Sequence, residues 1–180
     1  MTKEQIIEKL NLRSLEFEGG RFFETYRSAL TLDKSMLPPR FAAHSYTVST
    51  SIYYLLCAGE KSRMHSVAAD ETWYFHASSD SGVYILLAAV SPEGEGKTVK
   101  IGSRILDGHV PQFTVPAGWA MGAVVSCDEG GGRRLETNGA WVLAGANVAP
   151  SFECADFRRE DARAVAARCP ALANIILEIG

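Results

Sequence analysis

The stretch His65-Ser-Val-Ala-Ala-Asp-Glu-Thr-Trp-Tyr-Phe-His-Ala77 holds two histidines, an Asp-Glu pair and a run of aromatics. Its second half decides the fold. Glu71 to His76 is rich in aromatic residues and too short for a helix, so it reads as a strand. Alternation then puts Glu71, Trp73 and Phe75 on one face and Thr72, Tyr74 and His76 on the other. An acid on the same face as two large apolar side chains predicts a barrel interior that carries a polar group.

Similar segments lie on both sides. SYTVSTSIYYLLC, VYILLAAV, KTVKIGS, QFTVP, GAVVSC and AWVLAGANV follow one another through residues 45–148. The turn chemistry of ASSDSG, SPEGEG, LDGHVP, PAG and DEGGG separates them. Many short strands at this spacing predict an all-β sandwich or barrel. DEGGGRR, Asp128–Arg134, reads as a hairpin tip. Helix is expected only at the ends. Thr2 and Gln5 have capping-box spacing ahead of Ile6, Ile7 and Leu10. Ala162, Val165, Ala166 and Cys169 form one apolar stripe, Pro170 interrupts, and Leu172, Ile175, Ile176 and Ile179 form a second.

A chain of 180 residues suits one domain that buries roughly 70% of its unfolded surface. We expect a barrel over about 17–157 and C-terminal helices over about 158–178. The net charge of -3, from 18 basic and 21 acidic side chains, gives no basic face for nucleic acid. Arg158, Arg159, Arg163 and Arg168 are interleaved with Glu160 and Asp161, as on a solvated helix face. No segment has the length of a membrane span or the apolar core of a signal peptide. Cys57, Cys127, Cys154 and Cys169 show no C-x-x-C spacing, so reduced thiols in a cytoplasmic protein are expected. SPEGEGKT ends like a phosphate-binding loop, but Ser91 stands where glycine is required and strand follows, so it reads as a hairpin turn.

His65 precedes Glu71 by six residues, a spacing that a short turn can close into a cross-strand pair. Beside Trp73 and Phe75, such a pair could do acid–base work or simply satisfy itself inside a barrel. His76 should face outward. His44 and His109 sit in loop-like contexts.

These residues resemble the cupin superfamily. Gly59, His65 and Glu71 keep the spacing of its first motif, with Val67 at the place of the second histidine and Ser78 at that of the last glycine. Pro116, Ala117 and Gly118 match its second motif, with Met121 replacing the histidine. A closer resemblance, over nearly the whole chain, is to an uncharacterised cupin family, often called cupin family five. It is carried by Glu18-Gly19-Gly20, Glu24-Thr25-Tyr26-Arg27-Ser28, Ser51 to Leu56, His65 with Asp70-Glu71 and Trp73, Pro111-Gln112, Val115-Pro116 with Gly118, Val148-Ala149-Pro150, Phe152 and Asp156-Phe157. The chain departs from the family at Tyr74, at Trp119 and at Ala120-Met121.

The resemblance implies a double-stranded β-helix, the cupin jelly-roll barrel, with a site in its mouth and a homodimer as the common assembly. RFFETYRS, residues 21–28, is a strand that could pair across subunits. A cupin metal centre offers three histidines and a carboxylate. Here only His65 and Glu71 remain as weak ligand candidates, because Val67 cannot ligate and the Met121 thioether is soft. We therefore expect no resident metal and no cofactor. The implied function is binding of a small polar, sugar-like molecule in the barrel, with metal-independent isomerisation or epimerisation as the activity. In that reading His65 is the base, Glu71 or Asp70 orients it, and Tyr54 or Tyr74 is the acid. Tyr54, Trp73, Gln112 and Met121 would contact the ligand, with Gln112 and Met121 on the wall opposite His65 and Glu71. The alternatives are a non-catalytic binding or storage module and a degenerate metal-dependent enzyme. Neither nucleic acid nor a membrane is an expected partner.

Overall fold

A computed structural model describes residues 1–129, 132–134 and 139–180. The first helix, α1 (Lys3–Lys9), starts at Thr2, whose side chain accepts from the Gln5 N–H while the Gln5 side chain returns to the Thr2 backbone. β1 (Arg13–Ser14), β2 (Arg21–Arg27), β3 (Thr31–Leu32) and β4 (Tyr46–Thr47) follow. The β-branched and aromatic segments then form β5 (Thr50–Cys57), β6 (Lys61–Ser66), β7 (Asp70–Ser78), β8 (Val83–Val90), β9 (Gly96–Ile101), β10 (Gln112–Val115) and β11 (Ala120–Glu129). β12 (Gly132–Arg134), β13 (Trp141–Ala149) and β14 (Arg158–Arg159) complete the strands. α2 (Ala162–Arg168) and α3 (Ala173–Ile179) end the chain, with a single 3-10 turn, Pro170–Leu172, between them.

Two antiparallel sheets face each other. One runs β1-β2-β5-β13-β7-β10 and the other β14-β6-β11-β8-β9, with β12 joined to β11. They do not close into a single cylinder, so the architecture is a jelly roll rather than a continuous barrel. SPEGEG forms the β8–β9 turn, in which the Ser91 hydroxyl accepts the backbone N–H groups of Glu93 and Glu95. It is a hairpin and not a phosphate loop. The tip of the DEGGGRR hairpin, residues 130–131, lies outside the described residues, while the flanking β11 and β12 pair as expected.

The main core lies between the sheets. Leu56 of β5, Trp73 of β7, Ile85 and Leu87 of β8, Met121 and Ala123 of β11, and Val142 and Ala144 of β13 all turn into it. Each helix stripe covers an outer face. Ile6 of α1 packs on Leu55, Cys57 and Trp141. Val165, Ile175, Ile176 and Ile179 pack on the outward residues of β8 and β11. No helix among the described residues is long and apolar enough to cross a membrane.

Candidate functional site

One cavity of about 210 Å³ opens at an end of the sandwich. Phe22, Thr50, Ile52, Glu71, Ala146 and Val148 come to it from the first sheet, on β2, β5, β7 and β13. His65 and Val67 come from β6 and the residues after it. Leu15, Phe17 and Glu18 enter from the turn between β1 and β2, and Glu24, Arg27, Phe152, Glu153 and Cys154 form the mouth.

An irregularity in β6 aims two of its side chains. Met121 is opposite His65 and Ala123 opposite Ser62, so β6 uses three steps where β11 uses two. The extra residue is a β-bulge, and it lets Ser62 and His65 both face inward although they are three apart. Met64, between them, joins the helix-covered outer cluster instead.

Glu18 is delivered by a tight turn. The N–H groups of Glu18 and Gly19 both reach the Leu15 carbonyl, and the Glu18 carbonyl accepts from the Arg63 N–H on β6. This docks Glu18 against the bulge. The Ser62 hydroxyl donates to Glu18 Oε1 at 2.6 Å, and Glu18 Oε2 lies 3.9 Å from His65 Nε2.

His65 is 1% exposed. Its Nδ1 is 2.7 Å from the Arg63 carbonyl oxygen. A carbonyl only accepts, so Nδ1 carries a proton, and in the neutral ring Nε2 keeps its lone pair toward Glu18 and the cavity. The ring stacks on Phe157 at 5.2 Å and 19°. Glu71 is 7% exposed, and its carboxyl makes no hydrogen bond among the described residues. Burial, reinforced by the Glu18 charge, pushes its carboxyl up to about 8, so it holds a proton at neutral pH. At the mouth, Arg27 binds both carboxylate oxygens of Glu24, at 3.0 and 2.9 Å, and Glu153 at 2.6 Å.

The residues singled out in the sequence therefore fall into three groups. His65 and Glu71 share the cavity. Tyr54, Trp73 and Met121 are buried in the core and are not part of its wall. Tyr54 and Trp73 meet edge-to-face at 5.4 Å, and the Trp73 indole N–H has no partner among the described residues. Met121 lies beside His65 on the adjacent strand, not across from it. Gln112 stands outside altogether. Phe113 and Val115 take the inward positions of β10, so alternation turns Gln112 to solvent, next to Tyr74.

Other assigned roles change as well. Asp70 is exposed and accepts the Ala117 backbone N–H at 2.8 Å, which fixes the turn before β11 and leaves it unable to orient His65. That place is held by Glu18, which the sequence marked only as the residue ahead of two glycines. The Tyr54 hydroxyl donates to the Gly19 carbonyl at 2.9 Å, and burial together with the Glu18 charge raises its pKa well above the usual phenol range. Tyr54 is thus a brace for the Glu18 turn and a poor proton donor. Tyr74 faces away from the cavity.

The donor set does not fit a resident metal ion. His65 Nε2 would be a lone imidazole ligand, since Val67 lines the wall where a second imidazole would be needed and Met121 is packed in the core. Among the described residues no three His, Cys, Asp or Glu side chains are grouped to hold an ion.

Residues 4–159 match a family model described as "Cupin superfamily (DUF985)". A crystal structure of a protein from Shewanella oneidensis is 30% identical, covering 100% of this chain and 98% of that one with a TM-score of 0.77. A hypothetical protein from Leishmania major is 26% identical, covering 99% and 98%, with a TM-score of 0.79. No curated protein matches the chain. With the family model spanning most of its length, the chain belongs to the cupin superfamily, in the DUF985 family of unknown function.

Proposed function

We propose that the cavity binds a small molecule and moves a proton on it without a metal. The supporting observation is that a base and an acid line one mostly apolar cavity, His65 from the second sheet and Glu71 from the first. His65 Nε2 presents a lone pair, and Glu71 presents a carboxyl that is still protonated at neutral pH. Glu18, 3.9 Å from Nε2, stabilises the imidazolium that proton abstraction creates. Glu71 donates to the oxygen on which charge develops. A carbon acid beside a carbonyl, as in a hydroxy- or amino-carbonyl compound, is the substrate type these two groups suit, and isomerisation or epimerisation is the outcome.

Deuterium exchange tests this directly. Small hydroxy- and amino-carbonyl compounds are incubated with the protein in D2O and followed by proton NMR. The expected result is loss of the α C–H signal with the wild type and none with His65→Gln. Compounds that bind without exchange would reduce the protein to a binding module.

We also propose a homodimer built on β2. β1 covers only Arg21 and Phe22, so the backbone from Phe23 to Arg27 has a strand neighbour on the β5 side alone. Phe23 and Tyr26 are exposed there. An open strand edge with apolar side chains suits pairing with a second copy.

A further inference from the structure

The buried end of the cavity is rich in acceptors and lacks a cation. Glu18 Oε1 takes the Ser62 hydroxyl and the Tyr54 hydroxyl also interacts with the carboxylate, but these are neutral groups, no lysine or arginine reaches it among the described residues, and His65 Nε2 is 3.9 Å from Oε2. His65 Nε2 is itself an acceptor in the neutral ring. Glu71 is more than nine-tenths buried and lines the cavity, and its carboxyl has no hydrogen-bond partner among the described residues. The only lysine or arginine on the described wall is Arg27. It is held at the mouth by two carboxylates, Glu24 and Glu153, and by the Phe152 carbonyl. It offers no charge to the interior. An anion entering this space would meet the Glu18 charge in a poorly screened setting with nothing to offset it. A positively charged donor would satisfy Glu18 Oε2 and still have N–H groups for His65 and Glu71.

We propose that the cavity selects a small protonated amine. Its ammonium group sits at Glu18 Oε2 between His65 and Glu71, and its hydrocarbon part lies against Phe22, Ile52 and Val148. This deepens the reading of the cavity as a ligand site and rests on it. The volume of about 210 Å³ matches roughly seven waters at ~30 Å³ each, so an amine of a few carbon atoms fits. The Phe17 and Phe152 rings, stacked at 6.4 Å beside the mouth, present π faces that favour a cation on its way in.

Three probes of nearly equal shape separate charge from size: isopentylamine, isopentyl alcohol and isovalerate. Binding is measured by titration calorimetry at neutral pH and low salt, with the full chain. The amine is expected to bind about tenfold or more tighter than the alcohol, and isovalerate is expected to give no heat. Glu18→Gln should weaken the amine about tenfold or more, so that amine and alcohol bind the variant about equally. Ala146→Leu, which fills the cavity and leaves every acid in place, should abolish binding of both. Alcohol or isovalerate binding as tightly as the amine overturns the amine preference and leaves the ligand site standing. An amine preference that survives Glu18→Gln overturns the seat at Glu18. Binding unaffected by Ala146→Leu, or no binding of any probe up to its solubility, overturns the ligand site and the amine preference together.

Discussion

Glu71 shows how one residue couples stability to pH. Its carboxyl titrates near 8 in the folded protein, above the ordinary 4.5, because burial and the Glu18 charge disfavour ionisation. The folded state therefore binds the proton more tightly than the unfolded chain. The resulting stabilisation is full below about pH 4.5 and is lost as pH rises through about 8. Glu71→Gln carries no such dependence. The variant should match the wild type near pH 4 and exceed it above pH 8 by on the order of 5 kcal/mol, read from urea unfolding at each pH. Equal stability of the two proteins across that range would contradict a buried, proton-holding Glu71. Gly19 makes a second residue-scale case. Its φ of +116° disfavours a side chain, and a Cβ there would strike the Lys61 carbonyl. Gly19→Ala should cost about 1–3 kcal/mol for the backbone strain alone and should displace Glu18, so amine binding falls with it. At this scale the alternation of β7 pointed Glu71 inward, but the six-residue spacing did not close a cross-strand pair: His65 on β6 and Glu71 on β7 belong to different sheets and meet only as two sides of one cavity. The sequence did not reveal Glu18, whose position depends on a turn docking onto β6, a contact between distant segments that no local pattern encodes. Gln112 was misplaced for a different reason: its family motif suggested a ligand contact, whereas the alternation of QFTV already put it outside.

At the level of elements, periodicity was a good guide wherever one face is buried. β7, β8, β11 and β13 and the three helices lie where their apolar patterns put them. β6 is the exception. Strict alternation pairs Ser62 with Met64 on one face, and the bulge instead pairs Ser62 with His65. One extra residue reverses the facing of everything beyond it, and nothing in KSRMHS announces it. The SYTVSTSIYYLLC segment likewise divides into β4 and β5, since at Val48 and Ser49 the chain leaves a two-stranded β3–β4 ribbon and enters the first sheet. The C-terminal helices give an element-scale prediction. Ile176 of α3 is fully buried against the outer face of the second sheet. Ile176→Ala should cost about 2–5 kcal/mol in chemical unfolding. Because that cluster is separated from the cavity by the sheet itself, isopentylamine affinity measured well below the unfolding transition should not change.

For the whole molecule, the two-sheet sandwich leaves its ligand site at the junction of early, middle and late segments: residues 15–27, 50–71 and 146–154. Such a site exists only once long-range pairing is complete, so binding should report on the assembled fold. The fold class was legible because turn-separated β segments fill the middle of the chain, and the cupin half-motifs narrowed it further. The open edge of β2 carries the prediction of assembly. Light scattering at micromolar concentration should give a dimer. Phe23→Lys with Tyr26→Lys, charges added to the exposed edge, should give a folded monomer. A wild-type monomer under these conditions would contradict pairing through β2.

The bulge in β6 has a consequence for spectroscopy. Arg63 and Met64 have no register partners on β11, which frees the Arg63 carbonyl to meet His65 Nδ1. A regular strand could still turn His65 inward, but it would not supply that carbonyl. The inserted residue therefore fixes which ring nitrogen bears hydrogen. In its neutral form the wild-type His65 ring should show two widely separated 15N resonances, one pyrrole-like from Nδ1 and one pyridine-like from Nε2. Deleting Arg63 removes the extra residue and leaves Ser62 and His65 in phase. The histidine should stay in the cavity while its two 15N signals move toward a common average, the signature of a ring whose tautomers interconvert freely. Two unshifted signals in the deletion variant would show that something other than the bulge locks the ring.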